Sequence, residues 1–266
     1  YRGIEYPKEQ ERGYDFNEDL YVPGFFEVDI KKGESVVFSA GISDVSTNKL
    51  KQIFQHEVND RTPRDSFYHC LKNSAHQFHN KQGDCHYILA GYPWFKCRAR
   101  DLFVSLPGLT LAIDEPEEFE DVMETAQKTL RCYMNNIPVD CKIYELDDPD
   151  VLLWAVWALQ QYAKETTREK CRIKYGDLLL EIIDFIRKGK HNNLFLHENG
   201  LLYTHGANKP VTWMNSTIDG HPVIPRTGYV VEVNALWYNA LRFVADMLRE
   251  DENPSLADTL DALAQK

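Results

Sequence analysis

The feature of the sequence that most constrains the fold is the segment 151–162, VLLWAVWALQQY, which is apolar on nearly every side when drawn as a helix. A helix of this kind is stable only when other elements cover almost all of its surface. Asp148-Pro149 precedes it and predicts a helix start, with Asp148 as the N-cap and Asp150 in the first turn. We therefore predict an inner helix of a layered, mainly α-helical domain.

Amphipathic helices are predicted around this inner segment. One begins at Pro116, a second spans about 171–188, and a third, apolar over most of its surface, spans about 231–250. Nearly apolar helices that alternate with amphipathic ones indicate two concentric layers of helices. Loops rich in glycine, proline and aromatic residues would then line a central funnel.

Two segments are typical of β-hairpins rather than helices. Residues 1–20 are polar and irregular, whereas in residues 25–40 apolar and charged residues alternate on both sides of a Lys-Lys-Gly-Glu turn. A lone hairpin is marginally stable, so we expect it to be the edge of a sheet that is largely missing or lies elsewhere. A second hairpin is predicted over 194–203, around Glu-Asn-Gly.

The charge of the chain limits its partners. Thirty basic residues stand against 41 acidic ones, and the net charge of -11 disfavours nucleic acids and anionic membrane surfaces. The uninterrupted apolar runs are much shorter than the ~20 residues of a membrane span. A neutral ligand is therefore the expected partner, and nothing in the sequence predicts an oligomeric state.

Six irregularly spaced cysteines without a Cys-x-x-Cys pair predict neither a zinc ribbon nor a redox motif. We expect them to be buried free thiols in a reducing compartment, the cytoplasm. His76 and His79 have the i,i+3 spacing of one helix face, but no third ligand is evident in the sequence. We therefore predict no metal site and no cofactor.

Two stretches, 90–111 and 211–241, concentrate aromatic side chains, arginines and carboxylates next to predicted helices. Polar loops between rigid apolar elements are where sites are commonly built, so we predict that the two stretches face each other across one pocket. The candidate residues are Trp94, Arg98, Arg100, Asp101, Trp213, Asn215, Asp219, Arg226 and Glu232. Trp237 lies within a buried helix and is predicted to be a core residue.

Five segments carry a resemblance to a known family: AGYPWF, RDLFVSLPGLTLA, GLLYTHG, VTWMN and PR-x-G-x-VVEVNALWYNAL. They resemble the C-terminal catalytic part of glycogen-debranching enzymes, the amylo-α-1,6-glucosidase type, over most of 77–248. The resemblance implies an (α/α)6 toroid of six helical hairpins. The seven or eight predicted helices are fewer than twelve, so we expect an incomplete toroid over 45–266. Residues 1–44 would be the end of a preceding β-sandwich and a linker.

The resemblance also implies catalytic roles. The aspartate of the family's Gly-Arg-Asp motif is the general acid, and it corresponds to Asp101 in Ala-Arg-Asp. The aspartate of the Thr-Trp-Met-Asp motif is the general base, but here that position is Asn215. An amide cannot accept a proton from water at neutral pH. Either Glu232 or Asp219 would then supply the second carboxylate while Asn215 positions water, or the protein is catalytically weak.

Each candidate carboxylate also has an ordinary structural explanation. Asp101 could cap its helix beside two arginines, and both the helix start and the guanidinium groups would lower its pKa, which opposes an acid role. Glu232 could stabilise a helix dipole, and Asp219 precedes a glycine and could form a turn. Asp150 occupies the place of a sugar-contacting aspartate in the family, or it is a helix-start charge.

The sequence thus predicts a cytoplasmic glycosidase of glycogen catabolism that acts on α-1,6-linked glucose at branch points of glycogen or a branched α-glucan, with inversion. Trp94 and Trp213 would stack on glucose, and three arginines, Arg98, Arg100 and Arg226, would donate hydrogen bonds to its hydroxyls. Any one of these arginines could instead hold a carboxylate of the pocket in its ionised form. The alternatives are another α/α-toroid glucosidase with a different linkage preference, and a non-catalytic fragment that binds glucan.

Overall fold

The computed structural model describes residues 1–92, 95–138, 142–206, 209–250 and 254–266. These residues form two units, Tyr1–Arg61 and Thr62–Lys266. Each unit has its own elements and is described by itself.

The first unit contains short elements at both ends. Strands β1 (Ile4–Glu5) and β2 (Asn17–Glu18) pair antiparallel, with helix α1 (Pro7–Glu11) between them. The expectation that residues 1–20 are irregular is therefore wrong for these elements. Helix α2 (Leu50–Asp60) closes the unit after a single 3-10 turn.

The hairpin predicted over residues 25–40 is wrong. A turn does form there, since the Glu34 N–H donates to the Lys31 carbonyl at 2.9 Å, but no strand flanks it on either side. Phe25 and Phe26, which would point to opposite faces of the predicted strand, are 86% and 88% exposed. Alternation stabilises a strand only when one face is covered, and here neither face is.

The second unit is mainly helical, as predicted. Its helices are α3 (Phe67–His76), α4 (Ala99–Leu109), α5 (Pro116–Met134), α6 (Val151–Glu165), α7 (Arg168–Arg187), α8 (Val231–Glu250) and α9 (Pro254–Ala264). The predicted start at Pro116 and the predicted span 231–250 are confirmed.

In the described part of this unit, four small two-stranded sheets lie between the helices. Three are antiparallel: β3 (His79–Gln82) with β4 (Cys85–Ile88), β7 (Leu194–Leu196) with β8 (Leu202–Thr204), and β9 (Thr217–Ile218) with β10 (His221–Pro222). The fourth pairs β5 (Cys97–Arg98) with β6 (Ile143–Tyr144) in parallel. The second predicted hairpin, over 194–203, is therefore confirmed.

Helix α6 is the inner helix of the second unit, as its apolar composition predicts. It packs against α4, α7 and α8, and three successive side chains that point in different directions around the helix, Val151, Leu152 and Leu153, are all fully buried. Near its C-terminal end, the Tyr162 ring stacks on Phe119 of α5 with centroids 4.9 Å apart. The core of the unit is therefore organised around α6.

The predicted start of α6 is wrong by two residues. Asp150, not Asp148, occupies the N-cap position, and no side-chain capping bond forms there. The Asp148 carboxylate instead accepts a hydrogen bond from Arg100 at 2.6 Å. A tertiary ion pair with α4 thus replaces the local capping interaction that the sequence predicts.

The two histidines predicted to share a helix face do not do so. His76 is the last residue of α3, whereas His79 is the first residue of β3. The helix ends before Gln77, so residues spaced i,i+3 across this point do not lie on one helix face. Their rings meet edge to face with centroids 6.2 Å apart.

The cysteines agree in part with expectation. Cys97 and Cys171 are buried, and burial raises the pKa of both thiols to about 12, so they stay protonated. Cys70 is exposed, contrary to the expectation of buried thiols, and Cys141 lies outside the described residues.

Among the described residues, no helix combines the length and the apolar character that crossing a lipid bilayer requires.

We predict that Leu159→Ala lowers the free energy of unfolding of the intact chain by about 2–5 kcal/mol, because the truncation leaves a cavity beside the inner helix. Urea denaturation followed by circular dichroism measures the change. Leu71→Ala is the matched control, since Leu71 on α3 is half-exposed and its loss should cost less than about 1 kcal/mol. Equal effects of the two substitutions would contradict the central position of α6.

Candidate active site

An open cavity of about 460 Å³ lies along α4. Its walls come from the two ends of the β3–β4 hairpin, from α4, from α6 and from the loop before β9. The lining residues are Phe78, Leu89, Ala90, Arg100, Asp101, Val104, Ser105, Leu109, Trp154 and Trp213. The cavity therefore takes residues from both stretches that the sequence singles out, 90–111 and 211–241.

Asp101 lies in the first turn of α4, and its side chain is 49% exposed. It is not a helix cap, because the N-cap position is Arg98 and no side-chain capping bond forms. The Nε atom of Arg98 is 3.9 Å from Asp101 Oδ2, which is too long for a hydrogen bond. Asp101 thus forms a long ion pair with Arg98, and its half-exposed carboxyl group lies on the wall of the cavity.

Arg98 is held by a residue that the sequence did not suggest. Its Nε and Nη2 atoms donate to the two carboxylate oxygens of Glu145 at 2.8 and 2.9 Å. This bidentate pair, chiefly through its hydrogen bonds, raises the pKa of Arg98. Glu145 adopts a left-handed backbone conformation, with φ of 63°, at the point where it receives the guanidinium.

Arg100 is buried and joins three parts of the chain. It donates to both oxygens of Asp150 at 2.8 and 2.9 Å, to Asp148 at 2.6 Å, and to the Val211 carbonyl at 3.4 Å. Trp154 adds an indole N–H bond to Asp150 at 3.2 Å. Arg100 and Asp150, both predicted to contact sugar, therefore bind each other. We call Arg100, Asp148 and Asp150 the buried ion cluster.

Burial shapes the titration of this cluster. It raises the pKa of Asp148 to about 6, although Arg100 opposes the shift. Burial by itself would lower the pKa of Arg100, but the hydrogen bonds and charges of the two aspartates raise it above its usual value. The guanidinium stays charged, and Asp148 is the group that takes up a proton as the pH falls toward 6.

Glu232, in the first turn of α8, is joined to the cavity through Trp213. The Trp213 indole donates to Glu232 Oε1 at 2.9 Å, and Arg226 Nη2 hydrogen-bonds the same oxygen. Burial raises the pKa of Glu232, but hydrogen bonds from its own backbone N–H, Trp213 and Arg226 outweigh this and hold the pKa below its usual value. Glu232 is therefore ionised at neutral pH.

Trp213 presents a largely open indole to the cavity. The residue is 60% exposed, while its N–H is fixed by Glu232. Arg226, at a φ of 54°, reaches both Glu232 and the sulfur of Met214. The Thr-Trp-Met segment and the Pro-Arg segment are thus linked at the start of α8.

The remaining candidates lie further out. Asn215 is exposed, and its backbone N–H donates to the Trp213 carbonyl at 3.0 Å. Asp219 and Gly220, with φ of 49° and 76°, form the two-residue turn between β9 and β10, so Asp219 has the turn role that its neighbour suggests. Trp94 lies outside the described residues, and Trp237 is a core residue, as predicted.

The comparison with protein-family models agrees with this arrangement. Residues 67–266 match the model described as amylo-alpha-1,6-glucosidase, and residues 1–37 match the model described as glycogen debranching enzyme N terminal. The chain belongs to the amylo-alpha-1,6-glucosidase family. The resemblance carried by the five sequence segments is thereby confirmed. Neither the curated proteins nor the solved structures contain a match to this chain.

Within this amylo-alpha-1,6-glucosidase family chain, sequence reasoning missed three residues of the site. Trp154 lines the cavity although its helix is otherwise an inner one, and the i,i+4 spacing from Asp150 was the signal that could have found it. Phe78 and Glu145 have no comparable signal, since Phe78 follows the end of a helix and Glu145 meets Arg98 across 47 positions.

We predict a pH-dependent difference in stability between the wild-type chain and Asp148→Asn. Because the folded state binds the Asp148 proton more tightly than the unfolded state does, the contribution of this proton to the free energy of unfolding is full only below the ordinary pKa of 3.8 and is lost as the pH rises through about 6. The wild-type advantage over the variant should shrink by up to about 3 kcal/mol, at roughly 1.4 kcal/mol for each pKa unit.

Urea denaturation of both proteins between pH 4 and pH 7.5 tests this prediction. Asp177→Asn, an exposed substitution of the same kind on α7, controls for the general effect of removing a charge. A wild-type advantage that stays constant over this pH range would contradict the raised pKa of Asp148.

Proposed function

We propose that the cavity along α4 is the active site of an inverting α-1,6-glucosidase. Its substrate would be the single glucose at a branch point of glycogen or another branched α-glucan. The observation that carries the proposal is the cavity itself, which unites an available carboxyl group, Asp101, with an exposed indole, Trp213, that binds an ionised carboxylate, Glu232. Membership of the amylo-alpha-1,6-glucosidase family supports the same substrate class.

Asp101 is the proposed general acid. Glycoside hydrolysis needs one carboxyl group to protonate the oxygen of the leaving sugar. The geometry supports Asp101 in this role because it lines the cavity and because Glu145 engages the nearest guanidinium, Arg98, through two hydrogen bonds. A glycosidic oxygen can therefore approach the carboxyl group of Asp101 from the cavity.

Glu232 is the proposed general base, with Asn215 as the residue that positions water. A base must be ionised before it can accept a proton, and the three hydrogen bonds to Glu232 keep it so. Its bond to Trp213 favours it over Asp219, which lies in an exposed turn. Inversion requires about 6.5–9.5 Å between the two carboxyl groups when substrate and water are bound.

Glucose recognition would rest on flat apolar surfaces and a few fixed polar groups. Trp213 offers an exposed ring face on which a sugar can stack, and Trp154 and Phe78 supply further apolar walls. We propose Trp94 as a second stacking residue, on the strength of the sequence alone. Arg98 and Arg226 remain proposed sugar ligands. Each would donate to sugar hydroxyls through the guanidinium N–H groups that do not bind Glu145 or Glu232.

The architecture proposed around this site is a partial (α/α)6 toroid over residues 45–266. Residues 1–44 would then be the end of a preceding β-sandwich and its linker, in keeping with the match of residues 1–37 to the N-terminal model. The enzyme is proposed to act in the cytoplasm, without a cofactor in the hydrolytic step. The net charge of the chain, -11, disfavours nucleic acid as a partner and is compatible with an uncharged glucan.

One observation favours a second candidate, a chain that binds glucan without cleaving it. Asn215 stands where the family motif carries the aspartate of the general base, and an amide cannot take up the proton. The cavity would then retain its stacking surface and lose turnover. A different linkage preference within the toroid glucosidases is the remaining alternative, which a panel of α-1,4, α-1,6 and α,α-1,1 glucosides separates.

We predict that Asp101→Asn lowers the rate of glucose release from a branched limit dextrin by about 10²–10⁴-fold, because proton donation to the leaving group is lost. Binding of glycogen, measured by sedimentation, should be retained, since the amide is isosteric. Asp177→Asn on α7 is the control and should leave the rate unchanged. Unchanged turnover in Asp101→Asn would exclude this residue as the acid.

We also predict that Glu232→Gln lowers glucose release by at least about 10²-fold while Asp219→Asn leaves it nearly unchanged. Asn215→Asp should raise the rate, because it places a second carboxylate beside Trp213. Circular dichroism of each variant distinguishes lost chemistry from lost folding. Glycogen binding with no glucose release, in both the wild-type chain and Asn215→Asp, would favour the non-catalytic candidate instead.

A further inference from the structure

A mixed cluster of histidine and carboxylate side chains lies between the β3–β4 hairpin and α5, apart from the candidate active site. His86 of β4 and Glu118 and Asp121 of α5 each offer one atom, and these three atoms all lie within 4.8 Å of one another. We propose that this cluster binds a divalent transition metal ion, for which Zn²⁺ is the appropriate probe. The proposal is independent of the proposed glucosidase function.

The backbone around the cluster is already fixed in a suitable position. Glu118 and Asp121 have the i,i+3 spacing that places side chains on one face of a helix. Strand β4 is held against that face, since the His86 N–H donates to Thr125 Oγ1 at 2.9 Å and Ile88 is buried. His86 Nδ1 is 3.7 Å from Asp121 Oδ2, so small side-chain rotations suffice to bring both onto one ion.

The orientation of His79 indicates that a positive charge, from a ring proton or from a bound cation, balances Glu118. Its Nε2 is 3.2 Å from the Leu109 carbonyl, which can only accept, so Nε2 carries the proton. In a neutral ring, Nδ1 then turns a lone pair toward Glu118 Oε2, 3.6 Å away. A lone pair facing a carboxylate is favourable only with a proton or a cation nearby.

The charge balance of this cluster differs from that of the neighbouring group around Glu115, about one helical turn earlier. Glu115 pairs with Lys72 at 2.8 Å and with His76 at 2.8 Å, so a permanent positive charge balances it. Glu118 and Asp121 pair with histidines, which are charged only when protonated. Like charges at this spacing repel each other on a helix. A divalent ion would compensate both carboxylates together.

The donor set indicates the class of ion. Imidazole nitrogen suits Zn²⁺ and its first-row neighbours, whereas Ca²⁺ and Mg²⁺ prefer sites built from oxygen alone. Three protein ligands leave a coordination position for water. Phe78 and Leu89 flank the hairpin and line the cavity, so an ion that fastens the hairpin to α5 would also stiffen that wall.

The proposal is tested on the intact, tag-free chain after treatment with a chelator. Isothermal titration calorimetry with ZnCl₂ at pH 7.5 should give one ion per chain, and MgCl₂ and CaCl₂ should give no saturable binding. His86→Ala and the double variant Glu118→Gln/Asp121→Asn should each bind Zn²⁺ at least about tenfold more weakly, since even an outer-shell partner is worth about 10–100-fold.

The control is His76→Ala/Glu115→Gln, which removes the same residue types from the neighbouring pair and should leave the affinity unchanged. Zn²⁺ should raise the melting temperature of the wild-type chain and of this control, but not that of Glu118→Gln/Asp121→Asn. If His86→Ala does not fold, Asp121→Asn alone, on a largely exposed side chain, serves instead. Wild-type Zn²⁺ affinity in the cluster variants, or an equal loss in the control, would overturn the proposal.

Discussion

The site depends on the buried ion cluster, in which one guanidinium, Arg100, meets two aspartates. Taking these charges out of water is costly, and the four hydrogen bonds of Arg100, together with the Trp154 bond to Asp150, offset that cost. Removing one member of such a cluster typically costs about 3–5 kcal/mol, because a charge is left buried and unpaired. The cluster fixes α4, the start of α6 and the chain at Val211 together. Asp101 follows Arg100 directly and Trp213 lies two residues after Val211, so the cluster constrains the positions of both.

The sequence predicts elements well where burial alone decides them. The apolar composition of 151–162 predicts an inner helix, and the periodicity of apolar residues predicts the span of α8. Both patterns extend over many residues, so they indicate reliably which helix surfaces contact the core. The hairpin predicted over 25–40 fails for the converse reason, since alternation needs a covered face that this unit does not provide. The prediction of Asp148 as an N-cap fails because its partner, Arg100, lies 48 positions away in the sequence, and local sequence patterns do not indicate so distant a contact.

The same limit applies to the candidate site. Sequence motifs list the charged and aromatic groups, but they do not say which groups neutralise one another. Arg100 and Asp150 look like sugar ligands until the fold pairs them, and Glu232 looks like a helix-start charge until Trp213 reaches it across 19 positions. The cluster between β4 and α5 lies beyond sequence reasoning altogether, because its ligands come from elements whose contact only the tertiary structure defines.

The arrangement at Glu232 has a chemical consequence for the proposed reaction. The hydrogen bonds that keep this carboxylate ionised also stabilise its charge, and a carboxylate with a lowered pKa is a weaker base. In the proposed mechanism, Asn215 removes one base from the motif, and proton transfer would fall to Glu232, which is restrained by the same hydrogen bonds that orient it. In the proposed reaction, Trp213 would both stack on the sugar and hydrogen-bond Glu232, so hydrolysis by this route would be slow.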